Sequence, residues 1–193
     1  MISDLPKIWF LRHGQTYWNA ERRIQGQLES ELTEQGRADA KKQAALMASI
    51  LPLEPACYVS PLGRAQQTAQ IALAGASFKT DARLAEAHAG TWQGLLHDDV
   101  RRDFPAIASP QMSALELFLA APGGEGLDVF QARILDFLKS LGQPSVVVAH
   151  GLLGQVMRGL LRGLDLSEMG QLSNGQGCVY VLENGTERIL QQD

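Results

Sequence analysis

Cysteine is nearly missing from this chain: Cys57 and Cys178 are the two in 193 residues, far apart and without a C-x-x-C spacing. That argues against a disulfide framework or a thiolate metal site, and it favours a reducing, cytoplasmic compartment with each thiol a small core residue. An excess of positive charge is missing too. With 17 Lys and Arg against 21 Asp and Glu, the chain offers no broad surface to nucleic acid or an anionic membrane, so any positive potential must be local. No apolar run approaches the ~20 residues of a membrane span. Met1–Lys7 has no basic stretch leading into an apolar core of the kind that targets a chain for export. Repeats and low-complexity linkers are also absent. What remains, 45% hydrophobic and 20% charged residues, is the composition of one ordinary globular domain over residues 1–193.

The hydrophobic pattern alternates strand with helix. Ile8–Leu11 predicts a short buried strand ending at Arg12 and His13, and the aperiodic polar segment 19–30 reads as a loop over that strand end. Thr33 is a candidate N-cap, with Glu34 in the first turn, for an Ala-rich helix to about residue 50. Cys57–Ser60 predicts a second strand, and Ser60-Pro61 starts a helix with Ser as N-cap and Pro in the first helical position. Phe78–Thr80 reads as an edge strand, 83–94 as a loop, and 95–121 as helical but interrupted by Pro105 and Pro110. Apolar residues at helical spacing from Leu127 to Leu141 lead to the strongest strand, Ser145–His150. Its continuous β-branched run marks it as central and buried on both faces. A helix over about 152–161 follows, and a hairpin around Asn184-Gly185 closes the chain. This order predicts an α/β fold, a three-layer α/β/α sandwich on a mostly parallel mixed sheet of about six strands. The hairpin leaves an edge on which a homodimer could pair.

In open α/β sheets, ligands bind outside the carboxyl ends of the strands. Here three strands end in Arg12-His13, in Ser60-Pro61 with Arg64 one turn on, and in His150-Gly151. As the fourth helical residue, Arg64 would project back toward its strand end. The helix N-termini after Ser60 and His150 would add free backbone N–H groups. Each signal alone is weak: a lone Arg-His-Gly is commonly structural, and a lone Arg64 would be a solvated helix residue. Together they place two arginines and two histidines at equivalent topological positions, and burying such cations without an anion costs several kcal/mol. The pattern therefore predicts an anion site. Cations beside His13 also disfavour its imidazolium form and favour the neutral ring near neutral pH.

The motifs resemble those of the histidine phosphatase superfamily, the fold shared with cofactor-dependent phosphoglycerate mutases. Leu11-Arg12-His13-Gly14-Gln15-Thr16 through Asn19 is similar to its nucleophile motif, and Gln25-Gly26 through Leu32-Thr33-Glu34 to the following loop and helix start. Ser60-Pro61-Leu62-Gly63-Arg64-Ala65 resembles its second phosphate motif, and Leu84-Ala85-Glu86 through Gly94 its acid-bearing loop. Pro122-Gly123-Gly124-Glu125 and Val147-Val148-Ala149-His150-Gly151 complete the set. The resemblance implies a phosphohistidine on His13, a clamp from Arg12, Arg64, Asn19 and His150, Glu86 as proton donor, and neither metal nor cofactor. The loops carrying Arg23, Gln25 and Glu125 would face the pocket mouth, which makes these residues candidate substrate contacts, with a solvated charge the alternative for Arg23. Glu29, Glu31 and Gly126 depart from the family pattern without touching the chemistry.

The expected activity is a metal-independent phosphomonoester hydrolase acting on a small phosphorylated metabolite. Two alternatives stand beside it: a phosphoglycerate mutase-type phosphotransferase and a non-catalytic phospholigand-binding protein of the same fold. A mutase needs extra cations for a second anionic group, and residues 95–121 offer only Arg101 and Arg102, alongside Asp98, Asp99 and Asp103. Hydrolysis is therefore preferred. Trp18, His88, Trp92 and His97 are candidates for the pocket wall, with Trp92 alternatively a core residue.

Overall fold

The computed structural model describes residues 5–192, so the reading of Met1–Lys7 falls partly outside the described residues. The elements are β1 (Ile8–Arg12), α1 (Tyr17–Ala20), α2 (Glu34–Met47), β2 (Ala56–Val59), α3 (Gly63–Ala72), β3 (Lys79–Thr80), α4 (His97–Asp103), α5 (Ala114–Leu119), α6 (Gly126–Lys139), β4 (Ser145–Ala149), α7 (Gly151–Arg162), α8 (Leu166–Gln171), β5 (Val179–Glu183) and β6 (Thr186–Leu190). They form a six-stranded sheet in the order β3-β2-β4-β1-β5-β6. The first four strands in that order are parallel, β5 runs antiparallel to β1, and β6 antiparallel to β5.

Strand periodicity explains the three layers. Along β1, Ile8 and Phe10 enter one apolar cluster with Phe130, Ile134 and Val156, while Trp9 and Leu11 enter another with Met47, Ala65 and Ala69. Val147 and Val146 of β4 divide the same way. Successive side chains point to opposite faces, so a strand covered by helices on both sides must be apolar at every position. Helices α6 and α7 cover one face and α2 and α3 the other.

Local chemistry moved several boundaries. The segment expected as a loop from residue 19 begins inside a one-turn helix, because Thr16 and Asn19 close a reciprocal capping box ahead of α1. Helix α3 starts at Gly63 rather than at Ser60-Pro61, with Leu62 in extended conformation as its cap. The Ser60 hydroxyl is engaged elsewhere, as the site below shows. Helix α8 was not anticipated, although Asp165 and Glu168 form a capping box at its start. The hairpin turn is as expected: Asn184 and Gly185 both have positive φ, 51° and 72°, as a two-residue primed turn requires. Gly14 has a separate reason to lack a side chain, since a Cβ there would collide with the Gly36 carbonyl in the first turn of α2. Among the described residues no helix is long and apolar enough to cross a membrane.

Candidate active site

The sheet order makes β1, β4 and β2 adjacent, and their carboxyl ends carry Arg12-His13, His150 and Ser60. The His13 N–H donates to the Ala149 carbonyl at 3.0 Å and the Ser60 N–H to that of Val148 at 3.0 Å, so the ladder fixes these ends side by side. A cavity of about 130 Å³ opens over them, with Arg12, His13, Arg64 and Glu86 on its walls. Arg64 is the second residue of α3 rather than the fourth of a longer helix, and it is still buried to 1% exposure.

His13 is buried, and its Nδ1 lies 2.7 Å from the Gly14 carbonyl oxygen. A carbonyl only accepts, so Nδ1 carries the proton and the lone pair resides on Nε2. Burial is the main cause that pushes the His13 pKa well below the ordinary histidine value, with Arg64 and then Arg12 adding to it. His150 is lowered well below that value by burial first, then by Arg64. Both imidazoles are therefore neutral near pH 7.

The arginines are anchored but not neutralised. Arg64 donates through Nη1 to Leu28 O at 2.9 Å and through Nη2 to Gly26 O at 2.7 Å, and Arg12 donates through Nη1 to Asn174 O. Their Nε atoms are buried without partners, as is Nδ1 of His150. Among the described residues neither guanidinium has a carboxylate at ion-pair distance. Burial lowers the pKa of each, and the charge of Glu86 is the largest opposing influence. Arg12 and Arg64 line the cavity beside His13, so two of these three unpaired, buried nitrogens belong to cations at one site, a setting suited to an oxyanion.

Glu86 is buried at 6% exposure and is not the surface partner of Arg83, which pairs instead with Asp81 and Asp136. Its Oε1 accepts from the N–H groups of Ala87 at 3.0 Å and Leu153 at 2.9 Å, and its Oε2 from Leu152 at 3.0 Å. The Leu152 and Leu153 amides of α7 hold Glu86, and the Gly63 N–H of α3 donates to Glu29 Oε1 at 2.9 Å, so these three amides are engaged by carboxylates.

The remaining expected residues divide. Asn19, Arg23 and Gln25 line the cavity. Asn19 also closes the capping box of α1 with Thr16, Gln25 donates to Thr16 Oγ1 at 2.7 Å, and Arg23 is held by Glu21 at 3.0 Å and by Gly94 O at 2.6 Å. Glu125 does not line the cavity. It pairs with Arg133 at 2.5 Å, and Arg133 donates to the backbone carbonyls of Arg83 and Glu86, so Glu125 braces the acid loop from behind. Of the four aromatic wall candidates His97 lines the cavity, stacked near Phe118 at 5.9 Å. Trp92 is fully buried core, and His88 is bonded to Gly90 and Gln93.

Sequence reasoning missed Ala114, Phe118, Leu152 and Asn174 on the walls. Asn174 had a usable signal: a strand antiparallel to β1 begins beside the end of β1, so the polar segment before β5 must reach the site.

A family model described as histidine phosphatase superfamily (branch 1) matches residues 8–191. The chain belongs to this superfamily. Its relatives include the metal-independent phosphoserine phosphatase of Arabidopsis thaliana, 35% identical over 195 residues and covering 94% of this chain and 79% of that protein. Phosphoglycerate mutase-like protein 4 of the same plant is 36% identical over 157 residues, 77% of this chain and 67% of the other. Among solved structures, a mycobacterial glucosyl-3-phosphoglycerate phosphatase in complex with VO3 is 31% identical, has a TM-score of 0.76, and is matched over 97% of each chain. The superfamily fold thus accounts for the whole sheet, and the enzyme is of phosphatase type.

Proposed function

We propose that the chain hydrolyses phosphomonoesters of small metabolites, without a metal, through a phosphohistidine on His13. One observation carries this reading: Nε2 of His13 holds a lone pair at the foot of a cavity where, among the described residues, the buried cations Arg12 and Arg64 have no carboxylate at ion-pair distance. Fixed cations around the three equatorial oxygens of a transferring phosphoryl group supply most of what this reaction needs.

In the first step Nε2 attacks phosphorus and the ester P–O bond breaks. The leaving oxygen takes a proton from Glu86, since an arriving phosphate dianion beside a carboxyl favours its protonated form. In the second, water attacks the phosphohistidine, gives its proton back to Glu86, and the P–N bond breaks. Arg12, Arg64, Asn19 and His150 bind the phosphoryl oxygens in both steps. Arg23, Gln25, His97 and Phe118 face the leaving group.

A second anionic group finds little to grip. Arg101 is tied to the carbonyls of Ser109 and Met112, and Arg102 to Asp99 and Asp103, so neither serves the cavity. This favours hydrolysis over a mutase reaction. The test is phosphate release from a panel of phosphorylated metabolites with a chelator present. Turnover undiminished by chelation is expected, and none across the panel, or turnover restored only by a divalent ion, would refute the reading.

A further inference from the structure

The Ser60 hydroxyl is fully buried, and its Oγ lies 2.6 Å from Nε2 of His150. The same Oγ accepts the N–H of Leu62 at 3.3 Å. A hydroxyl has one proton to give, and among the described residues Nε2 of His150 is the one acceptor it reaches. Were that nitrogen protonated, it would donate to Oγ instead, and the hydroxyl's own buried proton would have nowhere to go. The other ring nitrogen, Nδ1, is buried and has no partner, in a ring whose centroid is 5.2 Å from that of His13. As a bare lone pair it would repel an arriving phosphoryl oxygen; as N–H it would donate to one.

We propose that Ser60 is a positioning residue of the reaction: by donating to Nε2 it locks neutral His150 in the Nδ1–H tautomer and turns that proton toward the phosphoryl group. Burial among cations, which keeps His150 neutral, is what makes the choice of tautomer matter. A doubly protonated ring would donate whatever Ser60 did. Ser60, one residue beyond β2, thus has a role besides accepting the Leu62 N–H, and α3 starts three residues later at Gly63.

The inference rests on the reading of the cavity as a phosphoryl site, and its test separates the two. Long-range nitrogen–proton NMR of the ligand-free, 15N-histidine-labelled protein reports which nitrogen of His150 carries the proton, the signal being assigned by its loss in His150→Gln. The Nδ1–H form is expected in the natural protein, and a mixture or the Nε2–H form in Ser60→Ala. Ser60→Ala should also lower kcat roughly tenfold to a hundredfold, the range found when the group orienting a metal-ligating histidine is removed. An Nε2–H His150 in the unaltered protein would overturn the proposal even if Ser60→Ala failed to fold. So would a folded Ser60→Ala with unchanged tautomer or unchanged kcat. An inactive natural protein with the Nδ1–H form would sink the phosphatase reading and leave the tautomer assignment standing.

Discussion

At the scale of single residues, the site separates charge from proton. Arg12 and Arg64 bring fixed charge, His13 and His150 are kept neutral by burial and by those arginines, and Glu86 is held by three backbone N–H groups. If Glu86 is the proton donor, Glu86→Gln loses far more activity on an alkyl phosphate than on p-nitrophenyl phosphate, whose leaving group needs little protonation. Steady-state rates on both substrates decide it, and equal losses would remove Glu86 from the acid role. The histidines also link stability to pH. Their folded pKa values lie below the unfolded reference of ~6.5, so the unfolded chain binds more protons as pH falls below that value, and stability falls with it. Each contributes a slope of up to ~1.4 kcal/mol per pH unit. Urea denaturation at pH 7 and pH 5 should show the loss, with a shallower dependence in His13→Asn; identical dependence in the variant would contradict a neutral His13.

At the scale of elements, the segment between α8 and β5 is the wall that the motifs did not announce. Arg158 of α7 is buried, lies 3.9 Å over the ring of Tyr180, binds Glu187 through Nε and Nη2 at 2.8 Å, and donates to Ser173 O at 2.6 Å. The Gly175 N–H donates to the Tyr180 hydroxyl at 2.7 Å, and Gln176 Nε2 to His13 O at 3.0 Å. This chain of contacts carries the stiffness of α7 and β5 to the nucleophile and to Asn174, which holds Arg12. Breaking a buried ion pair from one side costs about 3–5 kcal/mol, so Arg158→Met should approach the lower figure, with Arg162 at 3.5 Å still facing Glu187. Denaturant unfolding measures it, and a loss below about 1 kcal/mol, as for a surface pair, would show that the wall is held by something else. Long-range contacts of this kind leave no local period, and neither does Glu125, whose partner Arg133 sits eight residues on in α6. The sequence could place Glu125 in a loop near the site but not show that it faces away from the cavity. Ser60 is a related case: Ser-Pro is a helix start signal, yet α3 begins only at Gly63, and the contact of the Ser60 hydroxyl with a histidine 90 residues on leaves no local pattern.

At the scale of the whole molecule, what was legible is what a parallel sheet dictates. β4 announced itself as central by its unbroken apolar run, β1 by its position before Arg12-His13, and the hairpin by Asn184-Gly185. The strand-end rule then brings His13, Arg64 and His150 together from the sequence alone. The rest of the cavity, Phe118 and Ala114 above all, comes from short helices in the Pro-interrupted stretch 95–121, where local pattern is weak and packing decides. The same stretch bears on mutase chemistry. Because Arg101 and Arg102 are committed away from the cavity, interconversion of 3- and 2-phosphoglycerate with a bisphosphate primer should be slow beside hydrolysis, and a mutase rate exceeding the hydrolysis rate would reverse that order. The measurement that bears most directly on the central claim is rapid quench with a 32P-labelled phosphomonoester. An acid-labile, alkali-stable phosphoenzyme that forms within one turnover and is lost in His13→Ala is the expected result; turnover with no such species, or one that persists in His13→Ala, would contradict it.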